Sequence, residues 1–117
     1  MNSRELQALR KFLMLDVSEA AEIIGGVSKR SWQYWEAGRS PVPDDVEDKM
    51  NGLMTQRQYL MDEIGAKIDE AGGVISVPFY ASYAEFAAEN PDQGVIPWRL
   101  GQSVVAELYA NGLVTLG

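Results

Sequence analysis

A chain of 117 residues with 46% hydrophobic content is long enough for one compact domain, or for a small domain with an appendage. It has no cysteine and no histidine, which excludes a disulfide framework, thiol chemistry and a histidine general base. The net charge of −7 disfavours nucleic acid as an average over the chain, but residues 1–42 hold six bases against five acids, a net +1, and residues 43–117 hold four bases against twelve acids, a net −8. Exposed charges are screened beyond ~8–10 Å at physiological salt, so the local balance decides more than the total.

The first element is a helix over residues 3–15. Leu6, Leu9 and Leu13, with either Phe12 or Met14, follow its 3.6 period. Ser3 is its expected cap, and Arg10 and Lys11 fall on its outer faces. No apolar run approaches the ~18 residues of a membrane span. The charged, amphipathic start MNSRELQALRKFL is unlike a secretory signal. The expected compartment is the cytoplasm, with no membrane partner.

Ser18 to Glu36 organises the chain. It reads as two short helices with a tight turn between them. Ser18 caps the first, which carries Ala20, Ala21, Ile23 and Ile24. Gly25 and Gly26 break it, since glycine allows the positive φ of a sharp turn. Val27 fills the corner, and Ser28 caps a second helix through Glu36. At about 100° per residue, Trp32 and Trp35 share one side of that helix. Arg30, Gln33, Tyr34 and Ala37 lie opposite, with Lys29 at the edge. Aromatics at i and i+3 are usually core. Buried tryptophans would then hold a surface of long hydrogen-bonding side chains outward, which suits the DNA major groove.

Gly38 ends this helix, and Arg39-Ser40 leads into the rigid connector Pro41-Val42-Pro43. A long helix is expected from Asp44 to Ala71, with Val46, Met50, Leu53, Leu60, Ile64 and Ile68 on one stripe. Asp44, Asp45, Glu47 and Asp48 start it, where carboxylates favour the helix dipole. Gly52 and Gly65 are points where it can break. Gly72-Gly73 stops it. Beyond lie a short strand at 74–77, a helix from Tyr83 to Glu89 capped by Ser82, a helix from Pro97 to Ala110, and a second strand at 113–116. Leu100, Val104, Val105 and Leu108 face inward on the last helix.

Val27-Ser28, followed by Trp35-Glu36-Ala37-Gly38, a basic residue and a proline, resembles the helix-turn-helix of the XRE/Cro repressor-like regulators. The ending reads WEAGRSP, against a usual W-E-x-G-x-x-x-P, and the match covers the first third of the chain. The Gly25-Gly26-Val27 turn is one residue longer than that family's norm. The wording VSKRSWQYWEAGRSPVP and the whole length also resemble the small YdiL-like bacterial proteins, which are similar to regulators found beside anti-CRISPR genes.

The resemblance implies a mainly α protein. A lambda-repressor-like helical DNA-binding domain would span 1–43, or extend to about 71. A small helical appendage with a short two-stranded sheet would cover 72–117 and serve dimerisation. The implied function is a transcriptional repressor that binds double-stranded DNA as a homodimer on an inverted repeat. Ser28, Lys29, Arg30, Gln33, Tyr34 and Arg39 are its expected contacts, with Arg30 and Tyr34 on bases and Ser28 and Arg39 on phosphate. No cofactor, metal or catalytic residue is expected. Asp45 and Asp48 lie one turn apart, but nothing supplies the loop geometry of a calcium site. An enzyme has no phosphate loop to stand on. The rival reading is a protein-interaction module that reuses the helix-turn-helix, consistent with an acidic chain.

Overall fold

The N-terminal helix α1 runs Ser3–Phe12 and starts one residue earlier in the chain than the Ser3 cap expected. Asn2 is the cap. Its side chain accepts from the Glu5 N–H and the Glu5 carboxylate accepts from the Asn2 N–H, both at 2.8 Å. This reciprocal pair satisfies two amides that the helix leaves open, and a lone Ser3 hydroxyl has no such partner three residues on. The same device opens the next helix. Asp16, with Glu19 as its return partner, caps α2 (Val17–Glu19), in place of the expected Ser18.

The computed structural model describes residues 1–117. It is mainly helical, with a small two-stranded parallel sheet, as the sequence implied. After α2 the chain continues as a π-helix over Ala20–Gly25. A π-turn holds one more residue than an α-turn, so it absorbs the extra residue that the sequence shows before Val27. Gly26, at φ 60°, then reverses the chain, and the Val27 N–H closes the turn on the Ala21 carbonyl at 3.0 Å. Helix α3 spans Lys29–Glu36, and α4 spans Asp44–Ala71 without a break at Gly52 or Gly65. Strand β1 (Ile75–Val77), α5 (Tyr83–Glu89), α6 (Val95–Ala110) and β2 (Val114–Leu116) complete the chain. Helix α6 begins two residues before Pro97, which fits because proline is tolerated in a first helical turn.

The chain forms two units, Met1–Met54 and Thr55–Gly117, whose boundary falls inside α4. The first is built on Leu6, Leu13, Leu15, Ala20, Ala21, Ile24, Trp32, Trp35, Val46, Met50 and Leu53, all buried. Phe12 and Met14, offered as alternatives for the α1 stripe, are both exposed, at 44% and 36%. Helix α1 ends at Phe12, and Met14 takes a positive φ of 60°, so neither follows the helical face any longer.

In the second unit β1 and β2 pair in parallel, Ile75 with Val114, Ser76 with Thr115 and Val77 with Leu116. Val77, Val104, Val105, Leu108 and Val114 form its core, against which Leu60, Met61, Ile64, Ile68 and Phe79 pack. Arg57 lies on the same stripe of α4 and is 5% exposed. Its guanidinium donates to the Ser103 Oγ at 2.9 Å, the Ser103 carbonyl at 3.1 Å and the Glu107 carboxylate at 3.2 Å. A buried charge is tolerated because three acceptors, one of them a carboxylate, meet it.

Candidate nucleic-acid interface

Helix α3 is short, and eight residues do not hold a helix in water. Three local devices hold it. Ser28 accepts from the Ser31 N–H at 3.2 Å and caps the start. Gly38, at φ 76°, reverses the chain at the end, where the Gly38 and Arg39 N–H groups close on the Trp35 and Tyr34 carbonyls at 3.2 and 2.9 Å. The inner face is apolar. Trp32 is fully buried and Trp35 9% exposed, with ring centroids 5.4 Å apart and planes tilted by 59°. Gly25 lies against both rings. A Cβ there would approach Trp32 to 3.2 Å, Trp35 to 3.2 Å and Val27 to 3.0 Å. The glycine therefore sets how close the preceding helix comes to α3.

A polar bolt adds to this packing. Glu36 accepts from the Trp32 Nε1 at 2.5 Å and from Arg10 at 2.6 and 3.0 Å. Arg10 also donates to the Leu15 carbonyl at 2.9 Å. Arg10 was expected on an outer face of α1, but it is 8% exposed and points inward. The two-pronged geometry suits a planar guanidinium, and the bond to Leu15 satisfies its remaining side. Neither Arg10 nor Glu36 stood out in the sequence as a support of α3. The available signal was position: Arg10 follows Leu6 by four residues and precedes Leu13 by three, so it lies on the buried stripe.

The outer face carries the six residues singled out from the sequence. Ser28, Lys29, Arg30, Gln33 and Arg39 are exposed, and Tyr34 is half-buried. Ser28 has its Oγ engaged by the cap. Arg30, Tyr34 and Arg39 come together. The Arg30 Nε donates to the Tyr34 hydroxyl at 2.8 Å, and the guanidinium carbons of Arg30 and Arg39 each lie 5.5 Å from the centre of the Tyr34 ring. These distances are within the range of a cation–π attraction. Lys29 and Gln33 share the exposed face without joining that cluster. The Lys49 ammonium, from α4, donates to the Ile24 carbonyl at 3.3 Å, at the negative end of the helix before the turn.

Such a protein is a mainly helical one that presents a capped, aromatic-backed helix with basic residues on its open side. The chain belongs to the Aca2/YdiL-like family, whose pattern it matches over residues 1–116. It is 54% identical over 112 residues, 96% of each chain, to the Aca2 repressor of Pectobacterium phage ZF40. It is 35% identical over 117 residues, 99% of each chain, to the uncharacterized protein YdiL of Escherichia coli K12. No helix of the chain is long and apolar enough to cross a membrane.

Proposed function

We propose that this chain is a transcriptional repressor that binds double-stranded DNA sequence-specifically, as a homodimer on an inverted repeat, in the bacterial cytoplasm. The observation that carries the reading is the open side of α3, where Arg30 and Tyr34 of the helix meet Arg39 from the turn after it, opposite the buried tryptophans. The name of the phage relative, a repressor at 54% identity over 96% of its length, supports it. In this reading the helix before the turn and α3 form a helix-turn-helix of the XRE/Cro type, and α3 enters the major groove. Arg30 and Tyr34 meet base edges, Gln33 and Lys29 assist, and Ser28 and Arg39 hold phosphates. Regulation by occupying DNA requires no catalysis, so the chain is not an enzyme.

In this reading residues 1–43, or alternatively 1 to about 71, carry the DNA-binding function, and residues 72–117 carry dimerisation. One reading helix covers too few base pairs for useful specificity, so such proteins work in pairs. Leu60, Met61, Ile64 and Ile68 of α4 pack against the core of that segment and stay half-exposed, so they extend the apolar surface it offers to a second copy. A symmetric contact would then face each copy with the same patch. Selection of bound sequences from a random DNA pool tests the reading. An enriched inverted repeat, with half-site centres about one helical turn, ~34 Å, or a multiple apart, is the expected result. No enrichment at all would overturn it in favour of a protein-interaction role for the same helices.

A further inference from the structure

We infer that the hydroxyl of Tyr34, as distinct from its ring, positions Arg30, and that Arg30 so held selects a G·C base pair. The inference rests on the DNA-binding reading of α3 and adds to it a division of labour and a base.

A guanidinium has five N–H donors in a rigid fork. It can meet a flat acceptor pair through its two terminal nitrogens, or sideways through Nε and one terminal nitrogen. In Arg30 the Nε donates to the Tyr34 hydroxyl at 2.8 Å. The sideways approach is thereby closed, and the two terminal nitrogens are the remaining prong. The only base edge in the major groove that offers two acceptors side by side is guanine, through O6 and N7. Adenine offers an acceptor beside a donor, which a donor-only fork cannot match.

Arg30 and Tyr34 stand one helical turn apart, so the hydrogen bond lies along the helix surface. The Arg30 side chain is otherwise exposed and has a large rotamer freedom to lose on binding. The tyrosine removes part of that freedom before DNA arrives. The half-buried ring is in turn held from its other neighbour by the Arg39 guanidinium at 5.5 Å. Arg39 follows Tyr34 by five residues, past the Gly38 reversal, and its backbone N–H closes on the Tyr34 carbonyl. The phosphate-side and base-side arginines thus share one aromatic support.

The test uses Tyr34→Phe in the full chain, which keeps the ring and removes only the hydroxyl. Wild-type, Tyr34→Phe, Arg30→Ala and the double variant are compared on the wild-type-selected DNA and on copies with each base pair replaced. Wild type is expected to lose about tenfold or more in affinity when one particular G·C pair is replaced. Tyr34→Phe should lose most of that discrimination at the same pair. Its salt dependence and its binding to unrelated DNA should stay within about twofold, because phosphate contacts set those. In the Arg30→Ala background, Tyr34→Phe should change nothing further at that pair. Full discrimination by Tyr34→Phe would overturn the inference. So would a uniform loss on all sequences in both backgrounds, which would make the hydroxyl a backbone contact. Wild-type selection of a site with no arginine-dependent G·C pair overturns the base assignment while leaving DNA binding intact. Failure of wild type to select any sequence takes down the DNA-binding reading itself.

Discussion

Glu36 accepts from both Arg10 and Trp32, so one carboxylate ties α1 to α3. Both members of the ion pair are about nine-tenths buried at the side chain, 10% and 9% exposed. Removing one partner leaves a buried charge without its counterpart, which costs about 3–5 kcal/mol. Glu36→Ala should therefore lower the unfolding free energy by that order, read from chemical or thermal melts. An unchanged melt would mean that Arg10 finds water instead. Trp32→Ala should cost about 3–5 kcal/mol as well, as large aromatic truncations in cores do. A variant that melts normally and yet loses DNA binding would make Trp32 a contact rather than core. The tryptophans were legible as core from their i, i+3 spacing. Arg10 was not, because a charge on an apolar stripe reads as surface until its partner is known, and Glu36 is 26 residues away. Arg57 escaped for the same reason, since its acceptors lie on α6, 46 and 50 residues on.

Helix α4 ran Asp44–Ala71 and α5 Tyr83–Glu89, as read from their stripes, caps and glycine stop. The helices of the Ser18–Glu36 stretch were legible as elements, but two local features were not. The caps fell on Asn2 and Asp16, because a capping box needs the acid three residues later as well as the cap itself. The π-turn over Ala20–Gly25 has no signature in apolar spacing, and only the over-long turn hinted at it. The long helix also carried two glycines without breaking, since neighbours in sequence and apolar packing outweigh a local cost of ~1 kcal/mol. Gly52 is exposed, and a Cβ there would meet nothing within 4 Å. Gly52→Ala should accordingly raise stability by about 0.5–1 kcal/mol. Gly25→Ala should act in the opposite sense. Its Cβ would crowd Trp32, Trp35 and Val27, and overpacking of that kind costs about 1–3 kcal/mol. Calorimetry on the pair of variants checks both signs, and a stabilised Gly25→Ala would contradict the close-packed turn.

At the scale of the molecule, the charge of −7 is distributed unevenly, and this matters more than its size. Residues 43–117 carry the net −8, while Arg10 neutralises Glu36, the one acid on α3. Steering toward DNA would then depend on Lys29, Arg30 and Arg39, and Arg39→Ala should weaken all sequences alike and reduce the salt slope by about one. If residues 72–117 serve dimerisation, removing residues 74–117 should weaken DNA binding strongly and leave α3 in place, as light scattering and circular dichroism would report together. The fold class and the helical stretches were legible because periodicity and caps are local. The parallel pairing of β1 with β2 was not, because it depends on how α5 and α6 return the chain across 36 intervening residues, 78–113. The most direct measurement of the central claim is fluorescence anisotropy on a labelled duplex carrying the selected repeat, with wild type, Arg30→Ala and Tyr34→Ala side by side. Arg30→Ala should bind more weakly by about 1–3 kcal/mol and tolerate a replaced base at one position of each half-site; full-strength binding by both variants would contradict the assignment of the α3 outer face as the surface that reads DNA.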